Sequence, residues 1–141
     1  MAQEWREHGV DRYRSVLEDF ESYLAEVRSR EDAATVPVGW VRCTEFCLEV
    51  EGEIVGCARL RFELNALLEQ EGGHIGYDVR PSARRRGFGN LILQLVLPEA
   101  RRAGLERVLI TVDSDNYSSL RIIEKNGGVL ADEVLSVKSW L

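Results

Sequence analysis

The chain has too few cysteines to staple a fold or build a metal centre. Cys43, Cys47 and Cys57 are the three it carries. The count is odd and no CxxC motif occurs, which argues against a disulfide framework and against a zinc or redox site. Cys43 and Cys47 could share one face of a strand, but a metal needs more ligands than these two; no metal is expected. Long apolar runs are also missing, with nothing near the roughly 18 residues of a membrane helix. The opening MAQEWREHGV lacks the apolar stretch of a signal peptide. A cytoplasmic protein without membrane contact is therefore expected. Positive charge is short as well: 18 Lys and Arg stand against 24 Asp and Glu, a net of −6. That balance excludes the broad basic face of a general nucleic-acid binder. With 141 residues and no linker, repeat or low-complexity tract, a single domain spanning 1–141 is expected.

What is present is a strong alternation of pattern along the chain. Val10, Tyr13, Val16, Leu17, Phe20, Tyr23, Leu24 and Val27 recur at three and four residues, which predicts one amphipathic helix over about 10–29. Residues 40–50 and 53–61, rich in Val, Ile, Cys and Phe, flank Glu51-Gly52 and predict a β-hairpin. Residues 62–71 read as a short helical or irregular connection, broken by Gly72-Gly73. A strand over 74–79 ends at Pro81, which cannot donate to a ladder. A helix follows over 89–102, with Leu91, Ile92, Leu95, Val96 and Ala100 on one side and Pro98 expected to kink its last turns. Then come a buried-type strand over 108–112, a helix over 116–125 and a last strand over 129–137. The strand–helix–strand centre predicts two adjacent parallel strands. The expected class is α/β or mixed α+β, a mixed sheet flanked by helices.

The chemistry concentrates in Val79-Arg80-Pro81-Ser82-Ala83-Arg84-Arg85-Arg86-Gly87-Phe88-Gly89-Asn90, between a strand and a helix. Gly87 and Gly89 let the backbone turn tightly and approach a ligand closely. The free N–H groups that open the helix attract phosphate, and arginines beside the turn add charge and reach. A local basic cluster in an acidic chain suits a compact anion. A Walker loop is excluded because no Gly-Lys-Ser/Thr follows, and the third glycine of a dinucleotide-binding fingerprint is missing.

This run resembles motif A of the GNAT acetyltransferases, V-x-P-x-x-R-x-x-G-x-G, with Val79, Pro81, Arg84, Gly87 and Gly89 matching position by position. Asn116-x-x-Ser119 followed by Ile122-Ile123-Glu124-Lys125-Asn126-Gly127 is similar to the family's N-x-x-A/S helix ending in E-K-x-G. Gly72-Gly73-His74-Ile75-Gly76-Tyr77 before motif A resembles a bacterial subgroup of predicted acetyltransferases. The resemblance covers about residues 40–137. It implies a central mixed sheet whose two parallel strands splay to admit acetyl-CoA as co-substrate. Tyr77, Asp78 and Val79 would pair with the pantetheine, Arg84, Arg85, Arg86, Gly87, Phe88, Gly89 and Asn90 would wrap the pyrophosphate, and Asn116 and Ser119 would line the distal side. It implies direct attack of a small-molecule or peptide amine on the thioester, with a backbone N–H near Asp78 or Val79 stabilising the oxyanion.

Members of that family often place a carboxylate on the strand, and this chain has no Glu at the matching place. His74 is the candidate base, since its ordinary pKa near 6.5 suits the task; a hydrogen-bonded structural histidine is the alternative. Ile123 stands where the family often has a tyrosine acid, leaving Tyr117 or Ser119 to offer a hydrogen bond. Arg61 and Asn65 fall near the expected acceptor side, where Arg61 could clamp an acceptor carboxylate. Asp115 could draw a cationic acceptor, or simply serve turn and cap chemistry with Asp113. The family's first strand is absent from the pattern and the last is short, which leaves room for a homodimer to supply part of the acceptor wall. A catalytically inactive acyl-CoA-binding module is the competing expectation.

Overall fold

The computed structural model describes residues 1–134 and 137–140. Three helices come first: α1 (Ala2–Glu7), α2 (Arg14–Glu18) and α3 (Phe20–Ser29). The predicted single helix over 10–29 is thus broken. The break falls at Asp19, whose backbone is extended and whose side chain accepts from the Ser22 N–H at 3.0 Å, capping a new helix. The hairpin agrees with its prediction, as β1 (Cys43–Val50) and β2 (Glu53–Arg61) are joined by Glu51 and Gly52, both at positive φ. There follow α4 (Ala66–Gln70), β3 (Ile75–Val79), a 3-10 turn at Pro81–Ala83 and α5 (Phe88–Arg102). The chain then forms β4 (Ile110–Asp113), α6 (Tyr117–Lys125), β5 (Leu130–Val134) and β6 (Val137–Trp140). The one strand expected over 129–137 is therefore two among the described residues, and part of that span lies outside them.

The strands form two three-stranded sheets, ordered β1-β2-β3 and β4-β6-β5, and every recorded pairing is antiparallel. The adjacent parallel pair expected for β3 and β4 is not a ladder. The two strands meet only at their origins, where the His74 N–H donates to the Leu109 carbonyl at 2.7 Å and the Leu109 N–H donates to His74 Nδ1 at 2.9 Å. Beyond that point no ladder joins them, and a gap opens between the sheets. Gly73 permits the meeting. Its φ is +60, and a Cβ there would lie 2.4 Å from the Leu109 carbonyl oxygen.

The first sheet has two unlike faces. Ala58, Leu60 and Ile75 pack on Ile92, Leu93 and Val96 of α5 to make the core. The stripe on α5 differs from the predicted one: Leu93 is buried, while Leu91 and Leu95 are exposed. The helix runs on through Pro98 to Arg102, its turns pinned by Val96 and Ala100, both nearly inaccessible. The other face carries Glu45, Arg59 and Asp78, and the N-terminal helices bind it by polar contacts. Tyr23 donates to Glu45 at 2.8 Å, Arg30 to Glu45 at 3.3 Å, and Tyr13 to Asp78 at 3.1 Å. No residue of α3 is buried, and Phe20 is 53% exposed. Its apolar periodicity is real but is not used to fill a core.

Cys47 and Cys57 oppose one another across β1 and β2, with their sulfurs 3.1 Å apart. The Phe62 N–H to Arg42 carbonyl bond fixes the ladder parity, so this is a non-hydrogen-bonded pair, the closer kind. The hydrogen bond shared with Cys57 draws the Cys47 thiol down, whereas burial raises Cys43. At neutral pH iodoacetamide should therefore modify Cys47 well before Cys43, as peptide mass mapping would show. Gly73→Ala should lower stability by about 1–3 kcal/mol in denaturant melts, because it combines positive φ with a carbonyl clash.

Candidate active site

The backbone of β3 decides which groups face the gap. Arg61 N donates to the His74 carbonyl at 2.8 Å and Arg80 N to the Val55 carbonyl at 2.9 Å. With the β2–β3 register, this places the main-chain groups of Gly76 and Asp78 in the ladder to β2. Those of Ile75, Tyr77 and Val79 then point away from β2, toward the gap. Of the two N–H groups expected near the reacting carbonyl, the one at Val79 faces the gap and the one at Asp78 does not. The Val79 carbonyl accepts from Arg84 Nε at 3.3 Å.

At the end of β3 the chain curls. Arg85 and Gly87 both have positive φ, 61 and 85. Gly87 caps α5, and a Cβ there would meet nothing within 4 Å. The backbone N–H groups from Arg85 through Asn90 donate to no group among the described residues. A row of free donors at a helix start, curled by left-handed residues, is an anion cradle. Around it lies a cavity of about 460 Å³ that reaches Tyr77, Val79, Asn116 and Ser119. Arg84 and Arg85 line it, as do Phe88, Gly89 and Asn90; Arg86 does not, its guanidinium lying 5.1 Å over the Phe88 ring. A larger cavity, about 620 Å³, sits at the far end of α5 against Leu97, Leu105 and Val108; it shares Ile110 and Ile123 with the gap but no residue with the cradle cavity.

A second cavity, about 310 Å³, occupies the gap itself, and Tyr77, Asp78, Asn116 and Ser119 belong to both. Asp78 is tightly held. Arg12 Nη1 reaches its two oxygens at 2.6 and 2.7 Å, Arg59 Nη2 at 2.5 Å and Tyr13 at 3.1 Å. Burial, then the Asp78 charge, drives the Tyr13 hydroxyl far above its usual range. Burial also raises Tyr77, whose buried hydroxyl has Ser119 nearby but no partner in bonding geometry. Arg61 and Asp113 line this cavity as well.

His74, Asn65, Asp115 and Tyr117 fall outside both cavities. His74 is at the clasp, with its Nδ1 lone pair taken by Leu109. Asn65 caps α4 by accepting from the Leu68 N–H at 3.0 Å and donates to Gly39. Asp115 and Tyr117 are exposed, Tyr117 to 69%. Ile123 is 2% exposed and forms part of the gap floor. Among the described residues no group of His, Cys, Asp and Glu could hold a metal.

Comparison with known proteins settles the lineage. Residues 5–128 match the model of the acetyltransferase (GNAT) family. The chain belongs to that family. A stretch of 53 residues is 42% identical to mycothiol acetyltransferase of Mycobacteroides abscessus, covering 38% of this chain and 18% of that protein's length. The fold is shared with yncA of Salmonella typhimurium, solved with acetyl-CoA (TM-score 0.66, 18% identity, 86% of this chain and 72% of the other). It is shared too with the N-acetyltransferase PseH of Campylobacter jejuni in complex with acetyl coenzyme A (TM-score 0.62, 14% identity, 91% and 82%). A ribosomal-protein-alanine N-acetyltransferase from Brucella melitensis aligns with a TM-score of 0.63 at 18% identity, over 88% and 76%. In this GNAT chain the mixed α/β fold therefore brings motif A and the second-half motif to one gap.

The sequence did not point to Trp5, Arg12, Tyr13 or Arg59 as site residues. Arg59 had one signal: it sits two residues before Arg61 on the same strand, so the two side chains share a face. The N-terminal residues had none, because their partners are 65 or more positions away.

Burial, then the charge of Arg61, lowers the His74 pKa below 6.5. A depressed histidine pKa means the folded chain binds the proton less readily than the unfolded one. Its contribution is thus full above about pH 6.5 and is lost as pH falls through the folded value. The denaturant midpoint should drop between pH 7.5 and 5.5 in the wild type. His74→Gln should show a smaller drop over the same interval.

Proposed function

We propose that this chain transfers an acetyl group from acetyl-CoA to a primary amine of a small molecule or peptide, by direct attack. The carrying observation is the row of unengaged N–H groups from Arg85 to Asn90, which opens onto the same gap as the Tyr77 and Val79 backbone. Such a cradle fits a pyrophosphate, and the gap fits an extended acyl-bearing arm. Acetyl-CoA supplies the activated thioester. Arg84, Arg85 and the cradle hold its phosphates, and the Tyr77 backbone aligns the arm. The Val79 N–H hydrogen-bonds the thioester oxygen, where negative charge develops. The amine enters from the cavity beside Asp78. The Gly72–Tyr77 run supports placing the chain in the bacterial subgroup named for it. A chain of 141 residues fits a single domain, the cytoplasm is the location proposed for it, and a homodimer would extend the acceptor wall.

His74 serves in this reading as a structural clasp. A base needs a free lone pair; Nδ1 accepts from Leu109, so in the neutral ring the proton sits on Nε2. With no strand carboxylate free, the reading favours amines that are already largely neutral. Neutrality at pH 7 costs about 1 kcal/mol for an α-amine near 7.7, but about 4–5 for a lysine-like amine. Tyr77 supplies the hydroxyl that Ile123 cannot. Its buried, proton-retaining phenol lies where the two cavities join and donates toward the departing sulfur. The second reading, a module that binds acyl-CoA without turnover, draws on Ile123 and on the engaged His74.

Calorimetric titration with acetyl-CoA is the first test. Wild type should bind at micromolar concentration, and Gly87→Glu should weaken binding at least tenfold by placing a carboxylate in the cradle. Absence of wild-type binding at millimolar ligand would sink the proposal. Tyr77→Phe should cut kcat about 10–100-fold, in keeping with a lost proton donor, while leaving acetyl-CoA affinity near the wild-type value. Saturable acetyl-CoA binding with no transfer to any amine in a broad screen would select the second reading.

A further inference from the structure

Three arginines and three carboxylates line the gap, but only one of those carboxylates, Asp78, is paired with them. Arg12 and Arg59 both pair with Asp78, so two guanidiniums share one carboxylate. Arg61 pairs with no carboxylate among the described residues. Its Nη1 donates instead to the carbonyls of Gly72 and Gly73, at 3.1 and 3.0 Å, which fixes its direction. Burial lowers its pKa, and the charges of Arg59 and Arg12 add to that effect. Arg59 spends Nη2 on Asp78, but its Nε is buried and has no partner. Glu71 and Asp113 stand exposed on the rim of the same cavity, in ion-pair contact with none of the three arginines.

The unpartnered Arg59 Nε and the guanidinium of Arg61, whose Nη1 is already spent on Gly72 and Gly73, approach the same point. A Cβ built on Gly76 would lie 3.9 Å from Arg59 Nε and 3.9 Å from Arg61 Nη1. Gly76 has no side chain, so no Cβ stands between those nitrogens. A buried donor without an acceptor and a cation without a counter-ion are both costly. They are accounted for if an anion occupies that space when the site is filled.

We propose that the acceptor amine carries a carboxylate, which binds over Gly76 between Arg59 Nε and Arg61. This rests on the acetyltransferase reading and adds the chemical class of its acceptor. Planar guanidinium donors match the two oxygens of a carboxylate, and a cavity of about 310 Å³ suits a small molecule. Glu71 and Asp113 on the rim would draw the ammonium end. The acceptor is thus an amino acid, or a short peptide bound through its C-terminus.

The test compares amino acids and dipeptides with their C-terminal amides, and with aminoalkylphosphonates, as acceptors. Dipeptides are the cleaner pair, since their amine is an ordinary α-amine in both forms. Wild type should use the carboxylates at least about tenfold better in kcat/KM, the size of one charge-assisted hydrogen bond. Arg61→Gln should raise KM for the acids about tenfold or more, remove the preference over amides and leave kcat and acetyl-CoA affinity near wild type. Arg61→Lys should recover part of the loss. Gly76→Ala keeps every charge but narrows the space, and it should raise KM for the acids without affecting the amides. Equal use of acids and amides, or better use of phosphonates, overturns the proposal. Binding of N-acetyl dipeptide products supplies a readout that needs no turnover. They should raise the melting temperature of wild type and not of Arg61→Gln; no shift, or the same shift in both, overturns it. If acetyl-CoA itself fails to bind, the parent reading has failed instead.

Discussion

Two hydrogen bonds between His74 and Leu109 set the geometry on which the site depends. They join the sheets where β3 and β4 begin, beside a bond from the Gly72 N–H to Thr111 Oγ1 at 2.7 Å, and leave the two strands without a ladder beyond it. A pair of strands held along its length would have satisfied the outward N–H and C=O groups of Tyr77 and Val79 within the protein. Held only at its origin, the same pair presents those groups to an incoming chain of atoms. The imidazole does what a backbone carbonyl cannot at a diverging junction: it reaches sideways to a donor that the strand itself has already left behind. Such a position rewards the neutral ring.

The N-terminal helices depend on a different kind of force. They lie on the charged face of the first sheet and reach it through Asp78, Glu45 and Ser82. Glu4 accepts from both the N–H and the hydroxyl of Ser82, and Arg84 lies 5.0 Å over the Trp5 ring. Little apolar area is buried there apart from Trp5 and Tyr13, at 8% and 5% exposure. Ion pairs of this sort contribute modestly once desolvation is counted, so this layer is held more by direction than by strength. Asp78 belongs at once to this layer and to the gap, and therefore couples cover to site.

Much of the architecture was legible in the sequence because local rules agreed there. Glu51-Gly52 between β-rich runs gave the hairpin, and Gly87-Phe88-Gly89 after Pro81 gave the turn and the helix. The cap of α6 was expected of Asp113 or Asp115, but it is Asn116 that accepts from the Ser119 N–H, at 3.2 Å. The failures came where local pattern and tertiary use part company. The apolar periodicity of residues 10–29 met a polar face, and Asp19 restarted the helix. Alternation correctly put His74, Gly76 and Asp78 on one face, but not which main-chain groups are left free, since that depends on the β2 register. Tyr117 carried a hydroxyl at an attractive place in the motif, yet the first turn of α6 leaves it in solvent. Arg59 and Arg12 became visible only once β2, β3 and the N-terminal layer were set side by side.

The place of Trp5 has a spectroscopic consequence. Its indole is enclosed in the wall of the cradle cavity with Nε1 unpartnered, while Trp40 is 57% exposed and lies outside that cavity. An excited indole responds to the field around it, and a guanidinium 5.0 Å from its ring is a large part of that field. Any anion that draws Arg84 toward the cradle changes the charge seen by this one chromophore. The chain thus carries its own optical gauge of cradle occupancy, in a residue whose absorbance is far to the red of the peptide bond.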